Sequence, residues 1–329
     1  MTTPLRPIFL LSLPRSGSTL LQKLLATNAQ IATANETWIA LPFAYMRSPR
    51  GLAAEYWQDT CAEALDDVFA QLPGGEAEFR RLSSDFIRST YHGLAENKVA
   101  TYFLDKTPRY YLIADFLAEV FPDARFIFLF RHPLDVMSSI LRSWHKDTFS
   151  PHLRSNAVDL WRGPELLASA SRKLADRGLR VDYEELVTDP EGVIARVGGF
   201  LELEFPHDAV EKASAVELSG RMGDPHRGRK YDGVGEGSVG SWSGFVKNPY
   251  RRHFLKKYIG RFPEHVLETY GLNRQAILQE LSRAPISLNG LGRDIAGINW
   301  FRLSMWLHQL HQQPGLSVMP PSCDYCQLG

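Results

Sequence analysis

The sequence predicts an α/β fold, a parallel β-sheet flanked by helices, and three observations predict it. Short runs of strand length, Ile8–Leu11, Thr101–Leu104, Arg125–Phe130 and Leu179–Tyr183, alternate with longer segments of helical period. The run Arg-Phe-Ile-Phe-Leu-Phe at 125–130 is almost continuously apolar, which suits a parallel strand covered on both faces. Strands that alternate with helices join through right-handed crossovers, and such sheets bind ligands at the carboxyl ends of their strands. Polar residues stand at those ends: Arg15, Lys106, Arg131 and Tyr183 each end or follow a strand run.

The first run, Ile8 to Leu11, stops at Pro14. Arg15, Ser16, Gly17, Ser18 and Thr19 follow, and Leu20, Leu21, Leu24 and Leu25 then open one face of a helix. A small polar loop with a glycine, set between a strand and a helix N-terminus, suits phosphate. Backbone N–H groups point outward, the helix dipole favours an anion, and glycine allows close approach. The loop departs from the ATP-binding template G-x-x-x-x-G-K-[ST]. Ser12 stands where the first glycine belongs, Ser18 stands where the lysine belongs, and the cation comes earlier, at Arg15. A kinase uses that lysine with Mg²⁺ to offset the charge of a phosphoryl group. A sulfuryl group carries less charge, so its donor can be held without a metal. The substitution points toward sulfuryl transfer.

Residues 42–97 read as mostly helical, broken at Pro73-Gly74-Gly75. Thr101–Leu104 ends in Asp105-Lys106-Thr107-Pro108, and a helical pattern runs from Arg109 to Val120. Arg131-His132-Pro133 closes the strongest strand, and the next helix carries Asp135 in its first turn, where negative charge is favourable. The guanidinium of Arg131 and the hydroxyl of Ser139 form a pair suited to a second phosphate; Arg131 alone serves equally as an ion-pair partner. Gly220–Gly240 holds seven glycines and the basic run Arg227-Gly228-Arg229-Lys230, followed by Ser241-Trp242. Such a loop is expected to order on ligand binding. Ile295 to Leu310 reads as a helix docked on the core or on a second subunit. It lacks the Lys/Arg-rich face of a membrane-surface helix. Pro314–Pro321 reads as an extended tail.

Composition narrows the classes. The 329 residues carry 37 Lys and Arg against 37 Asp and Glu, so bulk nucleic-acid binding is disfavoured. No stretch has the length of a transmembrane helix, and Ile8–Leu13 is too short for a signal peptide. Three cysteines, Cys61, Cys323 and Cys326, make no disulfide framework, so a cytoplasmic location is expected. The Cys323–Cys326 pair reads as part of an ordinary tail rather than a zinc site.

Pro14-Arg15-Ser16-Gly17-Ser18-Thr19 after a strand resembles the 5′-phosphosulfate loop of sulfotransferases that use 3′-phosphoadenosine 5′-phosphosulfate (PAPS), and Arg131 with Ser139 resembles their 3′-phosphate site. The motifs are closest to bacterial and protein-tyrosine-type sulfotransferases. Asn35-Glu36-Thr37-Trp38 stands where the tyrosine enzymes carry a Glu-Thr pair whose Glu is the base. Lys106 stands where they carry a catalytic lysine. Val181-Asp182-Tyr183-Glu184-Glu185-Leu186, then Asp189-Pro190, extends the resemblance, which covers about residues 1–245. Ser241 departs from it, because the tyrosine enzymes carry a Lys before the Trp.

The resemblance implies a P-loop nucleoside-triphosphate-hydrolase-like sulfotransferase fold, PAPS as donor and no metal. It implies catalytic roles for Glu36, Lys106 and Arg15. It implies cofactor contacts from Arg15, Ser16, Gly17, Ser18, Thr19, Leu20, Arg131, Ser139, Tyr183, Ser241 and Trp242, with Arg229 and Lys230 as candidates for the missing cation. The expected domains are a sulfotransferase domain at 1–280 and a helical extension and tail at 281–329. A saccharide or glycolipid hydroxyl is the first acceptor, with Phe43, Tyr45, Tyr56, Trp57 and Trp144 as a candidate wall. A small alcohol, a carrier-bound acyl chain and a peptide tyrosine are alternatives. A P-loop phosphotransferase and a non-catalytic nucleotide-binding module are the competing classes.

Overall fold

The structure, a computed structural model, describes residues 5–49, 51–52, 56–95, 99–149, 151–219 and 238–311. Along the chain the elements are β1 (Arg6–Ser12), α1 (Ser18–Leu25), β2 (Ile31–Thr33), α2 (Ala40–Met46), α3 (Gln58–Gln71), α4 (Gly75–Leu94), β3 (Tyr102–Asp105), α5 (Ala114–Val120), β4 (Arg125–Phe130), α6 (Pro133–Trp144), α7 (Gly163–Lys173), β5 (Gly178–Asp182), α8 (Tyr183–Thr188), α9 (Pro190–Leu201), α10 (Ala209–Ala213), α11 (Pro249–Gly260), α12 (Glu264–Thr269), α13 (Arg274–Arg283) and α14 (Leu291–His311). They fall into two compact units. The first comprises Met1–Arg47, Ala62–Phe130 and Ala170–Glu236, and the second Ser48–Cys61, Arg131–Ser169 and Gly237–Gly329.

The first unit contains the whole sheet, ordered β2-β3-β1-β4-β5 with every pair parallel. The strand order turns back at β1, which pairs with β3 on one side and β4 on the other. That is the topological position at which α/β sheets take ligands. Both faces are covered, as the apolar run at 125–130 requires. Ile8, Leu10, Ile127 and Leu129 pack with Leu20, Leu21, Leu24 and Leu25 of α1 on one face. Phe9, Phe121, Phe126 and Tyr110 form an aromatic layer on the other. The strand period of two sorts aliphatic from aromatic side chains along β1 and β4.

Three local details differ from the sequence reading. β2 is three residues long, too short to show a pattern of its own, and is defined by its pairing with β3. The helix expected from Arg109 is a 3₁₀ turn at Tyr110–Leu112 followed by α5, because Pro108 precedes Arg109 and Arg109 adopts a φ of 78°. The region expected to be helical from residue 42 to 97 is three helices, with the break at Pro73 and Gly74 falling where expected.

The second unit is helical. Arg251 of α11 is fully buried and gives Asp294 of α14 a two-pronged bond, Nε to Oδ2 at 3.0 Å and Nη2 to Oδ1 at 2.7 Å. Its Nη1 reaches Asp147 Oδ1 at 3.0 Å, and the guanidinium lies 4.3 Å from the Phe245 ring centre. Asn248 caps α11 and donates to the same Asp294 carboxylate at 2.7 Å. α14 docks through Ile298, Phe301 and Met305, with Phe301 stacked on Trp161 at 5.7 Å, while Trp300, Leu303 and Trp306 are exposed. Its backbone approaches so closely that a Cβ on Gly297 would lie 2.0 Å from the Phe149 carbonyl oxygen. Among the described residues no helix is long and apolar enough to cross a membrane. Cys323, Cys326 and the Pro314–Pro321 segment lie outside the described residues.

Candidate active site

β1 ends at Ser12 and α1 begins at Ser18, so Leu13–Gly17 form the connecting loop. Arg15 and Gly17 both take left-handed backbone conformations, φ 65° and 88°. Gly17 is the N-cap of α1 and contributes no side-chain acceptor to its first turn. Ser16 is 1% exposed, and its hydroxyl has no hydrogen-bond partner among the described residues. A buried unsatisfied hydroxyl is uncommon and calls for an explanation. Tyr183, the first residue of α8, lays its ring against the loop: a Cβ on Gly17 would lie 2.4 Å from Tyr183 Cδ2. The glycine is therefore required twice, by its φ and by the ring.

Glu36 lies between β2 and α2. Gln22, buried in α1, donates to Thr33 Oγ1 at 2.8 Å and to the Ala34 carbonyl at 2.7 Å, fixing the start of that turn. Asn35 is tied to residues 218 and 219 through its amide and its side chain. Glu36 Oε1 then accepts from Lys106 Nζ at 2.9 Å, and Oε2 accepts from Trp38 Nε1 at 3.2 Å. The lysine side chain is 2% exposed and the glutamate 12%. Glu36 and Lys106, 70 residues apart, thus form a partly buried ion pair.

Asp105, at the end of β3, is completely buried. It accepts from the hydroxyls of Thr37 at 2.6 Å, Tyr91 at 2.7 Å, Tyr110 at 3.0 Å and Thr107 at 2.9 Å. Burial raises its pKa, and the four hydroxyl donors oppose that shift. Burial also raises Tyr91 and Tyr110 well above the ordinary phenol value, and the Asp105 charge adds to it, so both remain donors at neutral pH.

In the second unit, Arg131 follows β4 directly. It is 6% exposed and its Nη2 donates to the Ser238 carbonyl at 2.8 Å. Ser139 sits half-buried on α6. His132 caps α6, its Nδ1 accepting the Leu134 amide at 3.1 Å, and its ring stacks on Trp242 at 5.8 Å. Burial lowers the His132 pKa to about 4, against the pull of Asp135 and with a push from Arg131. The imidazole is neutral at pH 7 and keeps Nδ1 as an acceptor. Asp135 does more than favour the helix dipole. Its carboxylate accepts from the Gly240 amide at 3.0 Å, the Ser241 hydroxyl at 3.0 Å and the Trp242 amide at 2.8 Å. Ser241, which stands where the tyrosine enzymes carry a lysine, also accepts from Arg142 Nη2 at 2.8 Å. Arg229 and Lys230 lie outside the described residues.

The fold thus brings Glu36 to Lys106, Gly17 to Tyr183, and Asp135 to Ser241 and Trp242. Sequence reasoning missed Trp38, Asp105 and Arg142. Asp105 had one available signal, a charged residue closing a strand that is otherwise wholly apolar. Among the described residues no group of three or more His, Cys, Asp or Glu is placed to hold a metal ion.

Comparison with known proteins places the chain in a family. The family model described as "Sulfotransferase family" matches residues 7–207, more than half of the chain. Nodulation protein NoeE of Sinorhizobium fredii is 30% identical over 213 residues, 57% of this chain and 48% of that protein. Protein-tyrosine sulfotransferase 1 of Danio rerio is 27% identical over 261 residues, 78% of this chain and 66% of that protein. The chain therefore spans from about half to two thirds of the length of these relatives. A sulfotransferase domain from the curacin biosynthetic pathway superposes with a TM-score of 0.52 at 21% identity, covering 83% of this chain and 99% of that one, which shows a shared fold. The sulfotransferase domain of the Synechococcus PCC 7002 olefin synthase does so at 0.50 and 23%, covering 82% and 95%. With the family match running from the second residue of β1 through β5 and α9, this chain belongs to the sulfotransferase family.

Proposed function

We propose that this chain transfers a sulfuryl group from PAPS to an acceptor hydroxyl. The observation that carries this reading is the Arg15–Gly17 loop, where the buried Ser16 hydroxyl has no partner among the described residues, beside a helix start without a side-chain cap. Oxygens of a bound 5′-phosphosulfate supply the missing acceptor, and the left-handed φ of Gly17 leaves the backbone accessible to them.

The residues fit the donor as follows. Arg15, Ser16, Gly17, Ser18, Thr19 and Leu20 hold the 5′-phosphosulfate. Arg131 and Ser139 hold the 3′-phosphate, and Tyr183, Ser241 and Trp242 contact the nucleotide, with Arg229 and Lys230 as further candidates. When bound, PAPS supplies a sulfuryl group whose bond to the phosphate oxygen breaks as the acceptor oxygen attacks in line. Glu36 takes the acceptor proton. Lys106 orients Glu36 and, with Arg15, offsets charge at the bridging oxygen, a role for fixed cations that needs no metal. A saccharide or glycolipid hydroxyl is the proposed acceptor. Trp57, 81% exposed, and Tyr56, 59% exposed, offer aromatic surface in the second unit, whereas Phe43 packs on Phe86 at 5.2 Å in the first. The sparse cysteines favour a cytoplasmic setting. Residues 281–329 are proposed as an extension to a sulfotransferase domain at 1–280.

Ligand-dependent melting tests the donor. At about 100 times its Kd a ligand adds roughly 2.7 kcal/mol, a shift of several degrees for a protein of this size. The spent cofactor, 3′,5′-bisphosphoadenosine, is expected to raise the melting temperature without Mg²⁺, and ATP much less. Equal shifts, or a requirement for Mg²⁺, would overturn the donor assignment.

Two substitutions separate the phosphate sites. Arg131→Ala removes charge-assisted bonds worth about 1.5–3 kcal/mol, so bisphosphoadenosine affinity should fall roughly 10- to 100-fold. A nucleotide lacking the 3′-phosphate should lose far less, and equal losses in calorimetry would make Arg131 structural. Gly17→Ala forces a strained φ and drives a methyl into the Tyr183 ring. Affinity for both nucleotides should fall about tenfold, taking the strain as at least ~1 kcal/mol. Unchanged binding would remove this loop from the site.

A further inference from the structure

We infer that Asp105 is a positioning residue: its buried carboxylate latches the Glu36–Ala40 turn to the end of β3 and so holds Glu36 against Lys106. The inference rests on the assignment of Glu36 as the base.

The turn contains a strained residue. Trp38 adopts a φ of 56°, a conformation that a bulky side chain avoids unless its surroundings enforce it. The Asp105 network supplies that enforcement on both sides of Trp38. Before it, the Thr37 hydroxyl donates to Asp105 Oδ2 at 2.6 Å. At Trp38 itself, the amide donates to Thr107 Oγ1 at 3.2 Å, and that hydroxyl donates to Asp105 Oδ1 at 2.9 Å. After it, the Ala40 amide donates to the Tyr110 hydroxyl at 3.2 Å, and that hydroxyl reaches Asp105 Oδ2 at 3.0 Å. Tyr91, from α4, adds a donor at 2.7 Å and stacks on Phe103 at 4.2 Å, which fixes the carboxylate from below.

One carboxylate thereby sets both members of the ion pair. Thr37 adjoins Glu36, and Asp105 adjoins Lys106. The strained φ also directs the Trp38 indole to Glu36 Oε2, so the glutamate is held at each oxygen by a different donor. Stability alone gives little reason to bury a carboxylate here, since an apolar residue of similar size avoids the desolvation cost. Orienting the turn gives one.

The test uses the full chain and the isosteric Asp105→Asn, which replaces an acceptor oxygen by an amide donor facing hydroxyls. Hydrogen exchange read by mass spectrometry on peptides covering 36–41 should speed up about tenfold or more, while peptides from β4 stay protected. Bisphosphoadenosine affinity should stay within about threefold, because the loop at Arg15–Leu20 is untouched. Turnover should fall on the order of 10²-fold, the cost of a small misplacement of a reacting group. In a Glu36→Gln background the same change should add less than about threefold, since both act through one group. Unchanged exchange at 36–41, or losses that multiply, would overturn the latch. Should Asp105→Asn not fold, Tyr110→Phe removes the Ala40 acceptor and one Asp105 donor. It should give the same pattern with smaller changes, and unchanged exchange there overturns the latch equally. If Glu36→Gln alone keeps full turnover, the base assignment fails, while the exchange data still judge the latch.

Discussion

Glu36→Gln should reduce sulfate transfer by about 10²–10⁴, the usual worth of general-base catalysis. The amide keeps the size of the side chain and an oxygen for Lys106 Nζ, now 2.9 Å from Glu36 Oε1, but it cannot take a proton. Affinity for bisphosphoadenosine should change little, because the Arg15–Leu20 loop and Arg131 are untouched. An acidic phenol acceptor should suffer less than an alcohol, because its proton leaves with less help. Labelled PAPS with a panel of saccharide, alcohol, phenol, acyl-carrier and peptide-tyrosine acceptors reads both effects and identifies the acceptor class. Near-wild-type turnover would remove Glu36 from the mechanism. Two histidines that could be tried in its place already have structural tasks: His132 caps α6, and His145 Nε2 lies 3.0 Å from Asn156 Oδ1.

The largest stability effect is expected at Arg251. Arg251→Met should cost about 3–5 kcal/mol, the usual penalty for breaking a buried ion pair. The Asp294 carboxylate, 1% exposed, would be left with the Asn248 amide and no cation. Asp147, which sits in a turn where both it and Lys146 adopt positive φ, would lose its bond to Nη1. Denaturant unfolding of the full chain measures the loss. Replacing both partners, Arg251→Met with Asp294→Leu, should recover most of it, because no charge is then buried alone. A single-variant cost below about 1 kcal/mol would mean that solvent or neighbouring groups compensate Asp294 far better than this geometry implies.

Much of the sheet and of the loop at its first strand was readable in the residues alone. Arg125–Phe130 is a strand because an unbroken apolar run can only be buried on both sides, and the structure has it as β4 with those bounds. The loop at Arg15–Thr19 was readable because a strand, a glycine and a leucine-faced helix follow one another within a few residues. Glu36 and Lys106 were each singled out by resemblance, with nothing in the sequence to say that they touch. Other features left weaker traces. β2 has three residues and no period of its own, so only its pairing with β3 defines it.

Local order along the chain, the longer strands and the helix starts, follows from side-chain burial repeating every two or 3.6 residues, and such patterns are written in neighbouring letters. The hydrogen-bonded parts of the site follow from a different kind of information. Asp105 meets Thr37 across 68 residues, Glu36 meets Lys106 across 70, and Asp135 meets Trp242 across 107. The strain at Trp38 is likewise invisible in a sequence, because it persists only where surrounding donors and acceptors overdetermine it. A buried carboxylate must find its donors wherever the fold brings them, and only the tertiary structure decided that those donors would be the hydroxyls that frame the Glu36–Lys106 pair.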